Sequence, residues 1–376
     1  MILKNALLMT KDFKLEKLDI KFDGEKITEI AENIPGDGYD MTGKFILPGF
    51  IDTHIHGAAG TRICVPDFDP EKITVYEASQ GVTAIAITSS SSEKDNLLEN
   101  YKFLAGCYKN LRGAKIAAIH AEGPFLCTKY KGAMNPENII APDIEFLDKM
   151  IESSEGLLKL ITVAPEREGA PDFIKYAVSK GLTVSMGHTD AKYDDALAAA
   201  KAGATQSTHT FNAMRPLNHR EPGVLGYALT DENIVCEMIC DHVHLHPATL
   251  KLIYKIKGAD KVNIISDSGH AAGANITEFE VDGLMRYIKD GVIRLADGTI
   301  AGSAMSMHPG IKNLLNAGIC MEDVSKMESY NPAKTLKIEN ETGSLDVGKC
   351  ADIVVLDENY DVCMTFVNGK CEFKRD

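Results

Sequence analysis

Between residues 46 and 266 the chain repeats one pattern, a short apolar run ending in polar residues or glycine, followed in most cases by a longer stretch with helical spacing. Eight such runs occur: FILPGFID (45–52), GVTAIAIT (81–88), KIAAIHAE (115–122), LKLITVAP (158–165), LTVSMGHT (182–189), ATQSTHTF (204–211), IVCEMICD (234–241) and VNIISDS (262–268). Stretches such as NLLENYKFLAGCYKNL, PDFIKYAVSK, DDALAAAKAG and PATLKLIYKIK separate several of them. Strands that are apolar nearly throughout must be covered on both faces, and their alternation with helices implies a parallel sheet. Eight of them predict a closed (β/α)8, or TIM, barrel.

The two ends of the chain read differently. Residues 1–44 and 338–376 alternate apolar and polar positions and carry DG, NG and GK turn signals, the pattern of short antiparallel strands. They are expected to meet as one small β-sandwich domain, with the barrel, residues 45–337, inserted between its halves. A formal charge of −14 opposes the counterion release that drives nucleic-acid binding, so nucleic acid is excluded as a partner. No apolar run approaches the roughly 20 residues that cross a bilayer, which excludes a membrane partner. Charges interrupt the N-terminus where a signal peptide needs its apolar stretch. Nine scattered cysteines form no C-x-x-C, which fits buried thiols in a reducing compartment and predicts a cytoplasmic protein.

In such a barrel the functional groups gather at the carboxyl ends of the strands. His54 and His56 follow the first run, Glu122 ends the third, and His188, His209, His244 and Asp267 lie at the ends of the fifth to eighth. An H-x-H on extended chain puts both imidazoles on one face, as two ligands of one ion require. Glu122, followed by Gly-Pro, joins His188 and His209 in a His2Glu set that leaves a coordination position open for water. Asp267 reads either as a helix cap or, beside a metal, as a proton-transfer group. Arg220, before Glu-Pro-Gly, is either a solvated charge or a bidentate phosphate ligand.

GFIDTHIHG, the eighth-strand aspartate and NPAKTLKIENETGSLDVGKCADIVVLD resemble the amidohydrolase superfamily. Within it, HAEGPFL, SMGHTDA, THTFNAM, REPG, DHVHLHP, SDSGHAAG and AGSAMSM are similar to the N-acetylglucosamine-6-phosphate deacetylase family. The resemblance implies a TIM barrel of the metal-dependent hydrolase type with a small β domain, a homodimer, and a deacetylase that converts N-acetylglucosamine 6-phosphate to glucosamine 6-phosphate and acetate in amino-sugar catabolism. It implies that Glu122, His188 and His209 are metal ligands and that Asp267 is the catalytic aspartate. His54 and His56 keep the option of a second ion, and zinc or ferrous iron are the expected metals. Ala133, Asn212, Ala213 and His244 match substrate-contacting positions, Ile300, Ala301 and Gly302 match a pocket-closing segment, and Arg220 matches a phosphate-binding arginine that reaches into the neighbouring subunit.

One position departs from the family. Twelve residues after Glu122, where a His or Gln contacts the substrate carbonyl, stands Met134, whose thioether cannot donate a hydrogen bond. His242 also replaces a usual glycine. These changes leave open another N-acyl amino sugar phosphate or an N-acyl amino acid as substrate. They also leave open His242 or His270 as a replacement donor.

Overall fold

The computed structural model describes residues 1–65, 68–281 and 283–375. Eight parallel strands form its central sheet: β1 (Phe50–Ile55), β2 (Val82–Ser89), β3 (Lys115–Glu122), β4 (Leu158–Val163), β5 (Thr183–Met186), β6 (Gln206–Ser207), β7 (Val235–Ile239) and β8 (Val262–Ile265). They pair in chain order, and a bridge between Ile55 and Ser268 returns the last to the first. The barrel predicted by the eight apolar runs is therefore present. Helices such as Lys94–Cys107, Ile144–Ser153 and Pro247–Lys257 lie between the strands. Ile144–Ser153 shows how locally these are specified: the Asp143 carboxylate caps it by accepting from the Phe146 amide at 3.0 Å, and Phe146, Leu147 and Met150 form its buried stripe.

Both chain ends enter one sheet. Ile2–Met9 pairs with Leu15–Asp23 and with Phe45–Pro48, and Phe45–Pro48 pairs in turn with Ile353–Leu356 from the far end of the chain. Leu3, Leu8, Ile20, Phe22, Ile46, Ile353 and Phe366 form its core. The first apolar run, residues 45–52, divides at Gly49 between this sheet and the barrel. A side chain at Gly49 would come within 2.1 Å of Thr83 Cγ2, so only glycine permits the close passage. Asp352 ties the two parts together: buried, it pairs with Lys115 of β3 and accepts from Thr342 Oγ1 at 2.7 Å and the Asn368 amide at 2.9 Å.

A third, four-stranded antiparallel sheet was not expected. It comprises Glu278–Val281, Leu284–Lys289, Val292–Leu295 and Ile300–Ser303, and a bridge from Ser303 to Ser268 joins it to the end of the barrel. The alternating run FEVDGLMRYIKDGVIRL carries its signal, with the turn-forming pair DG occurring twice in its sequence.

Glu328 is fully buried in the π-helical turn Lys326–Tyr330, and neither carboxylate oxygen finds a hydrogen-bond donor among the described residues. Burial pushes its carboxyl well above the ordinary value of 4.5, so the folded chain retains a proton that the unfolded chain releases. A carboxyl raised in this way favours folding less as pH climbs from the unfolded value toward the folded one. Glu328→Met is therefore expected to raise stability at pH 8 by about 1–3 kcal/mol, the usual cost of an unpartnered buried polar group. The gain should shrink as the pH falls toward 5; thermal unfolding at both pH values checks it, and an unchanged midpoint at pH 8 refutes it.

Candidate active site

The carboxyl ends of the barrel strands open on a cavity of about 580 Å³. Glu122 is the last residue of β3, and His188, His209 and Asp267 each stand two residues beyond β5, β6 and β8. These last three have positive φ, 46°, 27° and 50°. A left-handed turn at a non-glycine residue costs about 1–3 kcal/mol and persists where the surroundings enforce it, as at a site that must aim side chains inward.

The side chains converge closely. Glu122 Oε1 lies 2.9 Å from His209 Nε2, 3.0 Å from His188 Nε2 and 3.4 Å from His54 Nε2, while Oε2 is 3.3 Å from His56 Nε2. Asp267 Oδ1 is 3.3 Å from His56 Nε2 and 3.7 Å from His54 Nε2. His188 and His209 face each other with their Nε2 atoms 3.1 Å apart.

Acceptors behind the rings fix which nitrogen carries the proton. His188 Nδ1 donates to the Tyr130 carbonyl at 2.7 Å and His56 Nδ1 to the Thr88 carbonyl at 3.0 Å. His54 Nδ1 donates to Glu237 Oε2 at 3.1 Å. In these three rings Nε2 is left as a lone pair facing carboxylates, a donor set that is repulsive unless a cation sits among it. His54 Nε2 is buried and has no hydrogen-bond partner. Without such an ion a second ring proton takes its place: burial opposes charge on His54, yet Glu122 and Glu237 hold its proton affinity well above the ordinary imidazole range. Burial likewise favours a protonated Glu122, but His188 and His54 pull its carboxyl well below the usual value. The residues present fit a divalent ion: imidazole nitrogens and carboxylate oxygens within one coordination sphere of each other.

Around this cluster the cavity is lined by Ala133, Met134, Asn212, Ala213, His244, Ile300, Ala301 and Gly302. His244 Nδ1 donates to Asp241 Oδ2 at 2.6 Å, and its buried Nε2 has no partner. Met134 packs against Leu126 and Ile139, so it gives the cavity an apolar wall. Gly132, whose added Cβ would sit 3.3 Å from His188 Cε1, lets the same loop close over that ring. Of the residues singled out in the sequence, Arg220 stands apart from this cluster: it is exposed and does not line the cavity of its own chain. His242 is exposed as well, whereas His270 lines the cavity. Burial, Arg62 and Arg286 push the His270 pKa down to about 4, so it is neutral at physiological pH.

The sequence reading missed Arg62, Lys131, Arg286 and Phe279 in the cavity wall, and Glu237 beneath it. The last had a signal: a single acid within the apolar strand NIVCEMIC is a buried charge that must have partners.

Comparisons with known proteins agree with this architecture. The chain is 33% identical to an N-acetylglucosamine-6-phosphate deacetylase of Lysinibacillus sphaericus across 98% of its length and 97% of that relative's. It is 31% identical to an N-acetylgalactosamine-6-phosphate deacetylase of Escherichia coli O157:H7, covering 98% of both chains. Its structure superimposes with a TM-score of 0.94, at 29% identity and over 100% of this chain and 99% of the other, on a mutant N-acetyl-D-glucosamine-6-phosphate deacetylase from Mycobacterium smegmatis in complex with N-acetyl-D-glucosamine-6-phosphate. The sequence profile of the amidohydrolase family matches residues 45–371. With the converging imidazoles and carboxylates at the mouth of its barrel, the chain belongs to the amidohydrolase family.

Proposed function

We propose that this chain hydrolyses the acetamide of N-acetylglucosamine 6-phosphate, giving glucosamine 6-phosphate and acetate. The observation that carries this reading is one cavity with two functional regions. Glu122, His188, His209 and Asp267 crowd one part of it, while Asn212, Ala213 and His244 offer hydrogen-bonding groups for a sugar phosphate. Relatives named for this reaction span nearly the whole chain.

Glu122, His188 and His209, whose ligand atoms lie 2.9–3.1 Å apart, would hold one divalent ion, and His54, His56 and Asp267 form a second candidate set; zinc and ferrous iron both suit these ligands. Such an ion supplies Lewis-acid polarisation of the amide carbonyl and lowers the pKa of water. Asp267 accepts the proton of the attacking water and returns it to the departing nitrogen. Burial favours its neutral form, but His56 and His54 outweigh burial and hold the carboxyl well below the usual range, so it enters the reaction as a base. Met134 donates nothing to the carbonyl, and neutral His270 is the donor nearest in kind to the missing His or Gln. Arg220, exposed and away from its own cavity, serves the neighbouring site of a homodimer, where its guanidinium forks onto phosphate. The nine cysteines are all free, in keeping with the cytoplasm.

Asp267→Asn is expected to lower kcat by about 10²–10⁴-fold; near-normal turnover would remove Asp267 from this role. Acetate release should be faster from N-acetylglucosamine 6-phosphate than from the unphosphorylated sugar. Equal rates refute the phosphate assignment, and faster release from N-acetylgalactosamine 6-phosphate moves the substrate to its C4 epimer. Mixing Arg220→Ala with Asp267→Asn under subunit exchange rebuilds one intact site in each hybrid dimer, about a quarter of all sites. Recovery of activity on mixing supports a shared site; no recovery places Arg220 with its own chain.

A further inference from the structure

Glu237 lies in the middle of β7, fully buried, below the cavity rather than in its wall. Its two oxygens accept from three donors. Oε2 takes His54 Nδ1 at 3.1 Å and the backbone amide of His209 at 2.9 Å, and Oε1 takes Gln206 Nε2. One carboxylate thus touches a residue from each of the two candidate ligand sets.

We propose that Glu237 is a positioning residue that fixes the ring and tautomer of His54 and thereby decides whether the first-strand pair accepts an ion beside the Glu122, His188 and His209 set. This rests on the two-set reading given above. A neutral imidazole carries one ring proton, and an acceptor-only carboxylate at Nδ1 keeps it there. Nε2 then offers its lone pair between Glu122 Oε1 and Asp267 Oδ1, at 3.4 and 3.7 Å. Without Glu237 the proton has no acceptor at Nδ1, and the ring gains by carrying it on Nε2, where it donates to Glu122 and closes the seat to an ion. His120 cannot replace the lost acceptor. Although its ring meets that of His54 edge-on at 4.7 Å, its own nitrogens are engaged by the Thr53 carbonyl at 3.2 Å and Thr162 Oγ1 at 2.8 Å.

Two substitutions separate the acceptor from the bulk of the side chain. Glu237→Met keeps the volume and removes the acceptor. Glu237→Gln can keep a carbonyl toward His54, with its amide nitrogen meeting Gln206 Oε1, which has no partner. The full-length protein, stripped and reloaded with cobalt(II), is followed by metal analysis, by the visible spectrum of the bound ion and by chelator competition. Wild type should hold two equivalents. Glu237→Met should hold one and lack the spectral component of the other, as should His54→Asn. Glu237→Gln should hold two, the weaker of them bound about 10–100-fold less tightly. Adding Glu237→Gln to His54→Asn should change nothing further in the remaining equivalent, whereas a general loosening of the fold would weaken both. Two unaltered equivalents in Glu237→Met overturn the proposal while the two-set reading stands. Should that variant not fold, unaltered affinity in Glu237→Gln overturns it equally. A wild type that holds one equivalent overturns the two-set reading, and this proposal with it.

Discussion

Everything at the mouth of the barrel is arranged around the carboxylate of Glu122. Four imidazole nitrogens lie within 3.4 Å of its two oxygens, in a space almost sealed from water. A buried carboxylate is costly unless compensated, and imidazoles that present lone pairs do not compensate it. A shared cation resolves the conflict. The cost of the left-handed turns at His188, His209 and Asp267 belongs to the same arrangement, because without them the side chains would not reach that point.

The outward-facing groups make the cluster specific. The Tyr130 and Thr88 carbonyls and the Glu237 carboxylate each hold one ring by Nδ1, and they come from different parts of the barrel: the loop after β3, the strand β2 and the strand β7. Ring orientation is therefore set by backbone and strand positions rather than by the ligands themselves. The loop carrying Tyr130 also carries Gly132 and Met134, so the segment that fixes His188 also shapes the wall facing the substrate.

Much of this was legible in the sequence, for physical reasons. Apolar runs that alternate with helices pack as central strands covered on both faces, and a polar residue at or just past the end of such a run falls at the barrel mouth. For this reason His54, His56, Glu122, His188, His209 and Asp267 could be placed without coordinates. What periodicity could not give was the partner of each ring. Tyr130 acts through its backbone carbonyl, and Thr88 does the same, so residue type carries no trace of either role. The four-stranded sheet had a signal in the alternation of FEVDGLMRYIKDGVIRL, but alternation does not say where a sheet docks, and only the bridge between Ser268 and Ser303 attaches it to the barrel. The division of residues 45–52 at Gly49 was hidden for a different reason: the run is apolar throughout, and only the contact with Thr83 shows that one half belongs to another sheet.

The electrostatics of the whole molecule bear on how an anionic sugar could be held. A net charge of −14 repels a phosphate at long range, though at physiological ionic strength that field decays over about 8 Å. Recognition must therefore be local. The cavity wall supplies it in part, with Arg62, Lys129, Lys131 and Arg286 all lining the space that also contains the ligand cluster. None of them belongs to the set that the amidohydrolase resemblance implied, and two of them sit on elements that close over the mouth: Arg286 on the sheet at 278–303 and Lys131 on the loop after β3. An anion entering beneath these elements meets positive charge on the parts that cover it, at separations where the field is not screened. That attraction depends on low dielectric and short distance, and it operates whether the chain's overall charge is −14 or zero.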